Sequence, residues 1–152
     1  MEELSDGDPE TVVLDNARRK ARAASAGGLV LGADTEVLLD GELLGKARDE
    51  READAFLQRL SGRTHVVLGG LVLLGNGAER SGVERTLVTF RELDEDLRRW
   101  YLESREWPDR AGAYAIQGRG AALVERIDGD FWNVVGLPVP LLLRLAPEVL
   151  QT

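Results

Sequence analysis

The stretch Leu29 to Lys46, LVLGADTEVLLDGELLGK, constrains this chain more than any other. Leu29-Val30-Leu31 is a short apolar run of the kind a buried strand uses, and Gly32-Ala33-Asp34-Thr35 reads as the place where that strand stops. The pattern therefore predicts a carboxylate delivered at a strand's end. Val37-Leu38-Leu39 and Glu42-Leu43-Leu44 flank Asp40-Gly41, a pair that supplies the positive φ angles of a two-residue hairpin turn. The chain is expected to fold straight back and to return Gly45-Lys46 toward Asp34. An acid and a lysine at the mouth of a sheet suit a polyanionic substrate and its metal ion.

The remainder of the composition narrows the class. With 152 residues, 43% hydrophobic and 30% charged, the chain has the apolar content for one domain, expected to span residues 1–152. Its formal net charge of -8 argues against broad binding to duplex nucleic acid, so any phosphate site has to be local. The absence of cysteine excludes disulfides and thiolate metal sites, and the single histidine, His65, excludes a multi-histidine centre. The acidic start Met1-Glu2-Glu3 lacks a signal-peptide apolar core, and no run of 18 apolar residues occurs. The expectation is a cytoplasmic protein with no membrane partner.

Asp8-Pro9-Glu10 reads as a helix start, continued at helical spacing by Val13, Ala17, Ala21 and Ala24 and stopped by Gly27-Gly28. Arg18, Arg19, Lys20 and Arg22 make this helix locally basic, which is most simply a solvated face; Lys20 is the candidate among them. Asp49 caps a second helix through Ala53, Phe56, Leu57 and Leu60. His65 to Leu74 reads as a strand crossed by Gly69-Gly70, a bulge or a close backbone approach, and Asn76-Gly77 turns it into a partner ending at Phe90. A lone histidine at a strand start is more commonly a hydrogen-bonded structural group than a catalytic one. Asp94 caps a third helix carrying Leu97, Trp100 and Tyr101. Ala121–Ile127, the Asp128-Gly129 turn and Phe131–Val135 read as a third hairpin before a closing helix through Leu141 to Leu145. The sum is an α/β domain around a mixed, largely antiparallel sheet flanked by helices.

The segment from Arg110 to Gly120, RAGAYAIQGRG, packs small residues around one amide and two guanidinium groups. Such a segment lets backbone approach a ligand closely, and Gln117 can donate and accept as reading the edge of a base requires. Taken alone, it is equally a plain loop. No P-loop, GxSxG elbow, HExxH or strand-to-helix GxGxxG is present.

Six segments, in order, resemble the Maf (septum-formation) family of nucleoside triphosphate pyrophosphatases. They are Ala17-Arg18-Arg19-Lys20-Ala21, Gly32-Ala33-Asp34-Thr35, Leu44-Gly45-Lys46, Leu60 to His65, Ala111 to Gly118, and Asn133 to Pro138. The resemblance implies a Maf/ITPase-like domain that cleaves between the α and β phosphates of a nucleoside triphosphate, giving the monophosphate and pyrophosphate. It implies Asp34 as general base and ligand to a magnesium or manganese ion, Lys20 and Lys46 facing the phosphates, and Thr35 and Gln117 in substrate choice. Arg110, where the family usually has lysine, keeps a cation for the substrate. Glu2 and Glu3 resemble an acidic pair ahead of the first helix, with Glu3 the expected second metal ligand. The Ala-Asp-Thr and Ala-Tyr-Ala-Ile-Gln-Gly forms look like the branch acting on dTTP and UTP rather than on 7-methyl-GTP, and a homodimer is the expected assembly. Family members carry a strand and a Ser-Pro-Arg-Arg loop before the point where Met1 stands. The alternative reading is therefore a truncated, catalytically silent nucleotide-binding or dimerisation module.

Overall fold

The computed structural model describes residues 7–24 and 27–151. Its elements run in the order α1 (Pro9–Ala23), β1 (Val30–Leu39), β2 (Glu42–Leu44), α2 (Glu50–Leu60), β3 (Thr64–Gly75), β4 (Ala78–Phe90), α3 (Glu95–Glu103), β5 (Val124–Asp128), α4 (Phe131–Val135) and α5 (Val139–Leu145). Short 3-10 turns occupy Gly118–Ala122 and Pro147–Leu150. The strands form a five-stranded sheet in the order β2-β1-β3-β4-β5. β1 and β2 pair antiparallel with Val37 opposite Leu44, and β4 and β5 pair antiparallel with Leu87 opposite Asp128. The expected α/β class is the one the chain adopts. Among the described residues no helix is long and apolar enough to cross a membrane.

The chain falls into two compact units, and β1, β3 and β4 each contribute residues to both. The first unit comprises the described residues up to Thr35, Leu68–Arg85, and those from Asp130 onward. Its first helix starts as the sequence predicts: Asp8 accepts a hydrogen bond from the Thr11 N–H at 3.1 Å, and Pro9 sits in the first turn, where a missing N–H costs nothing. Val12, Val13, Ala17 and Ala21 form its buried face. Ala17 and Ala21 meet Val72, with Leu14, Val30 and Leu74 packed around them.

Two glycines make that contact tight. A Cβ on Gly32 would collide with the Ala17 carbonyl oxygen and lie 2.6 Å from the Ala21 nitrogen, and one on Gly70 would lie 2.7 Å from the Val13 oxygen. Gly32 therefore does not stop β1. It lies extended beneath α1, and the strand continues through Asp34 to Leu39, which places the carboxylate inside the strand rather than at its end. Gly69 admits a different neighbour, the buried Asn133 side chain, whose amide nitrogen donates to the Glu84 carbonyl at 3.3 Å. The close approach expected at Gly69-Gly70 is present at both residues, and β3 runs through it unbroken.

The third hairpin does not form. Phe131–Val135 is the short helix α4, capped by the Asp130 carboxylate accepting the Trp132 N–H at 2.9 Å and closed by Gly136 at φ 137°. Aromatic and β-branched residues suggested a strand; the Asp130 cap and the docking of Asn133 over Gly69 outweigh that preference. Residues 118–122 likewise form a 3-10 turn, so β5 begins only at Val124.

The second unit comprises Glu36–Val67 and Thr86–Gly129. Asp40 and Gly41, at φ 51° and 78°, make the predicted hairpin turn. Asp49 caps α2 by accepting the Glu52 N–H at 2.8 Å, and Asp94 caps α3 by accepting the Leu97 N–H at 2.8 Å. Ala53, Leu57 and Leu60 from α2 and Tyr101 from α3 are fully buried, each leucine contributing about 2 kcal/mol of apolar burial. Arg98 ties the two helices by donating to Asp54 at 2.8 Å. His65, Phe90 and Tyr114 meet edge to face, with ring centroids 4.7 to 5.5 Å apart.

Candidate active site

In the first unit the helix–strand contact at Gly32 sets the geometry of the charged pair. Ala17 and Ala21 rest on β1 at Gly32, and Lys20, in the same turn of α1, reaches Asp34 two residues farther along the strand. The Lys20 ammonium donates to Asp34 Oδ1 at 2.7 Å. The partners differ in exposure: the Asp34 side chain is 4% exposed and that of Lys20 35%. Asp34 is thus a carboxylate taken out of water with a half-exposed cation beside it.

Its other oxygen, Oδ2, is buried and makes no hydrogen bond to the described residues. A carboxylate oxygen has strong acceptor capacity, and leaving it without a donor in the interior costs free energy. An oxygen so placed can accept from a water molecule or bind a hard cation. Oxygen donors are the type that magnesium and manganese prefer, and magnesium commonly binds through one or two carboxylates with water and substrate phosphate completing its shell. Among the described residues no three histidine, aspartate or glutamate side chains gather to form a self-sufficient metal site. Asp34 therefore fits a cation shared with a phosphorylated ligand. Glu2 and Glu3 lie outside the described residues.

Thr35 follows Asp34 in β1 and points to the opposite face of the strand, half-buried where Asp34 and Gly32 are buried. The structure brings Lys20 and Asp34 into contact and turns Thr35 away from them.

The second unit holds the other three candidates on neighbouring pieces of backbone. Gly112 donates its N–H to the carbonyls of Leu44 at 2.9 Å and Gly45 at 3.1 Å, and Lys46 forms an isolated antiparallel bridge with Ala111. Lys46 and Arg110, both exposed, consequently project from paired segments. The sharp path from Gly112 at φ 69° to Ala113 at φ 64° packs against Val37, whose Cγ2 would lie 2.9 Å from a Cβ on Gly112. Gln117 follows at the N-terminus of the 3-10 turn; it is exposed and its side chain makes no capping bond.

That loop is pinned from beneath. Tyr114 is buried and shares a 2.7 Å hydrogen bond with His65 Nε2. Burial pushes the His65 imidazole down to about 4 and raises the Tyr114 phenol far above its ordinary value, so both are neutral near pH 7. His65 is structural, as its place at a strand start suggests. The Ala115 N–H donates to Tyr101 Oη at 2.9 Å, and burial, the largest influence, pushes the Tyr101 phenol up to about 12. A carboxylate that sequence reasoning passed over, Glu106, accepts the N–H groups of Arg119 at 2.9 Å and Gly120 at 3.2 Å. The only sequence signal for it is an acid ahead of the Gly118-Arg119-Gly120 run, whose first amides need acceptors.

Comparison with known proteins extends these observations to the whole chain. The sequence pattern of the Maf-like protein family matches residues 1–149. A dTTP/UTP pyrophosphatase of Pyrococcus abyssi is 48% identical over 90% of this chain and 75% of its own length. Proteins of the same description from Symbiobacterium thermophilum and Deinococcus radiodurans are 51% and 46% identical, over 86% and 95% of this chain and 69% and 75% of theirs.

Proposed function

This chain belongs to the Maf family, and we propose that it is a nucleoside triphosphate pyrophosphatase acting on dTTP and UTP. Water attacks phosphorus, the bond between the α and β phosphates breaks, and the nucleoside monophosphate and pyrophosphate leave. The observation that carries the reading is the Asp34 carboxylate, held at one oxygen by Lys20 and left open at the other. It supplies an acceptor that can orient the attacking water and take its proton.

Each residue then has a chemical task. Lys20 keeps Asp34 oriented and, from its half-exposed position, offers positive charge to the phosphates. Lys46 and Arg110 add cations; the lysine is a compact point charge, and the guanidinium can grip two phosphate oxygens at once. Gln117 reads the base with an amide not spent on capping its turn, and Thr35 shapes substrate choice from the other face of β1. Asp34 Oδ2 would hold magnesium or manganese, which when bound supplies charge neutralisation for the triphosphate and a more acidic water.

The test is product analysis of the full chain incubated with magnesium and dTTP, UTP or 7-methyl-GTP. The reading requires dTMP and UMP with stoichiometric pyrophosphate, and slower turnover of 7-methyl-GTP. Formation of a diphosphate and inorganic phosphate, or binding of dTTP without any hydrolysis, would overturn it.

A further inference from the structure

We propose that Glu106 is a positioning residue for base recognition, fixing the turn from which Gln117 presents its amide; this rests on the dTTP/UTP reading above. Both oxygens of Glu106 bind backbone, Oε2 accepting the Arg119 N–H and Oε1 the Gly120 N–H, and the Tyr101 phenol is a further hydrogen-bond partner of the carboxylate. These amides lie in the 3-10 turn that begins immediately after Gln117; the Arg119 N–H, in its first turn, would otherwise lack an acceptor, and the Gly120 N–H gains a second one. Gly118, at φ 68°, completes the fit, because a Cβ there would lie 2.5 Å from Glu106 Oε2. The carboxylate occupies the space that any other residue at position 118 would need for its side chain.

Neighbouring contacts hold both ends of the same segment. Tyr101 accepts the Ala115 N–H before Gln117, and beyond it the Arg119 guanidinium donates to the Trp100 carbonyl at 2.8 Å and lies over the Trp100 ring, 4.9 Å from its centroid. Gln117 itself is exposed, with its side chain uncommitted to the turn. The backbone on either side is fixed and the one amide between is presented. Charge-assisted bonds to backbone N–H groups are stronger than neutral ones, which suits a carboxylate to this task.

Fixing matters because an amide carries a donor and an acceptor that exchange places when it turns over. Thymine and uracil present a carbonyl oxygen where cytosine presents an amino group. A Gln117 held in one orientation can separate these bases; one on a loosened turn can adapt to either. The bonds of Glu106 go to the turn that follows Gln117, so its loss is expected to act on nucleotide choice and binding rather than on the cleavage step.

The experiment is steady-state hydrolysis of dTTP and dCTP with magnesium by the wild-type chain, Glu106→Ala and Glu106→Gln, each first checked by thermal melting. Glu106→Ala is expected to raise KM for dTTP about tenfold, as losing roughly one charge-assisted hydrogen bond would, and to reduce the dTTP/dCTP ratio of kcat/KM by a similar factor while kcat changes little. Glu106→Gln retains one acceptor oxygen and is expected to fall between, which separates the effect from loss of folding. An unchanged KM and ratio in both variants, or a fall in kcat with the ratio preserved, would overturn the proposal alone. Failure of the wild-type chain to hydrolyse dTTP, or equal kcat/KM for both nucleotides, would overturn it together with the reading it rests on.

Discussion

The Lys20–Asp34 pair and the His65–Tyr114 pair are both short polar contacts at 2.7 Å, and they are built for opposite ends. The first joins two charges, keeps one flank of the lysine exposed and leaves a carboxylate oxygen without a partner among the described residues. The second joins two neutral groups, encloses both, and surrounds them with the edge of Phe90. His65 Nδ1 is unpartnered among the described residues too, so what separates the pairs is charge and access. A charged pair with an exposed flank can act on a ligand, whereas neutral groups enclosed in an aromatic cluster hold structure still. What the second pair holds is the segment carrying Gln117.

The sharpest way to break this contrast is to neutralise the cation. Lys20→Met is expected to lower kcat/KM about 10² to 10³-fold, roughly 3–4 kcal/mol of transition-state stabilisation, as read by initial rates on dTTP. A loss under threefold would mean that the pair is only structural. Gly32→Ala tests how the pair is positioned. Its new Cβ would meet backbone of α1 that cannot yield, and a loss of about 3 kcal/mol in denaturant unfolding is expected, with activity falling as Lys20 is displaced.

The neutral pair has a pH signature. His65, faced by Tyr114 and Phe90, has its folded value lowered to about 4 by burial, so the unfolded chain binds the additional proton between pH 6.5 and 4. Its contribution is complete above pH 6.5 and is lost as pH falls through that window, amounting to about 3 kcal/mol at about 1.4 kcal/mol per pH unit. Thermal melts of Glu- and Asp-intact His65→Gln should lose that part of the acid slope relative to wild type. Identical slopes would make the imidazole accessible to protons and remove the contrast. At the small end, Arg63 and Asp40 pair at 2.6 Å on the surface, where water screens both. Arg63→Ala should leave the unfolding midpoint unchanged within measurement error.

The legibility of the chain follows the range of the forces involved. Caps at Asp8, Asp49 and Asp94 and turns at Asp40-Gly41 and Asn76-Gly77 are local chemistry, and the structure has each of them. Gly32 and Phe131–Val135 were misread because their conformations depend on distant residues, the backbone of α1 in one case and the docking of Asn133 on Gly69 in the other. The site divides the same way. Asp34, Lys20, Lys46, Arg110 and Gln117 are candidates by residue type taken together with the resemblance to the family. Glu106 has no signal of this kind, and Tyr101 reads only as part of a helical stripe, because their bonds reach residues 13 or 14 positions away and no spacing rule connects them to those amides.

The most direct test of the central claim is single-turnover hydrolysis of dTTP with magnesium by wild type and Asp34→Asn, with nucleotide binding measured in parallel. Asparagine preserves shape and removes the charge and basicity on which the account relies. Binding within a few fold of wild type and a rate lowered by about 10³ or more is the predicted result. A rate within threefold of wild type would place the chemistry elsewhere in the chain and contradict the account.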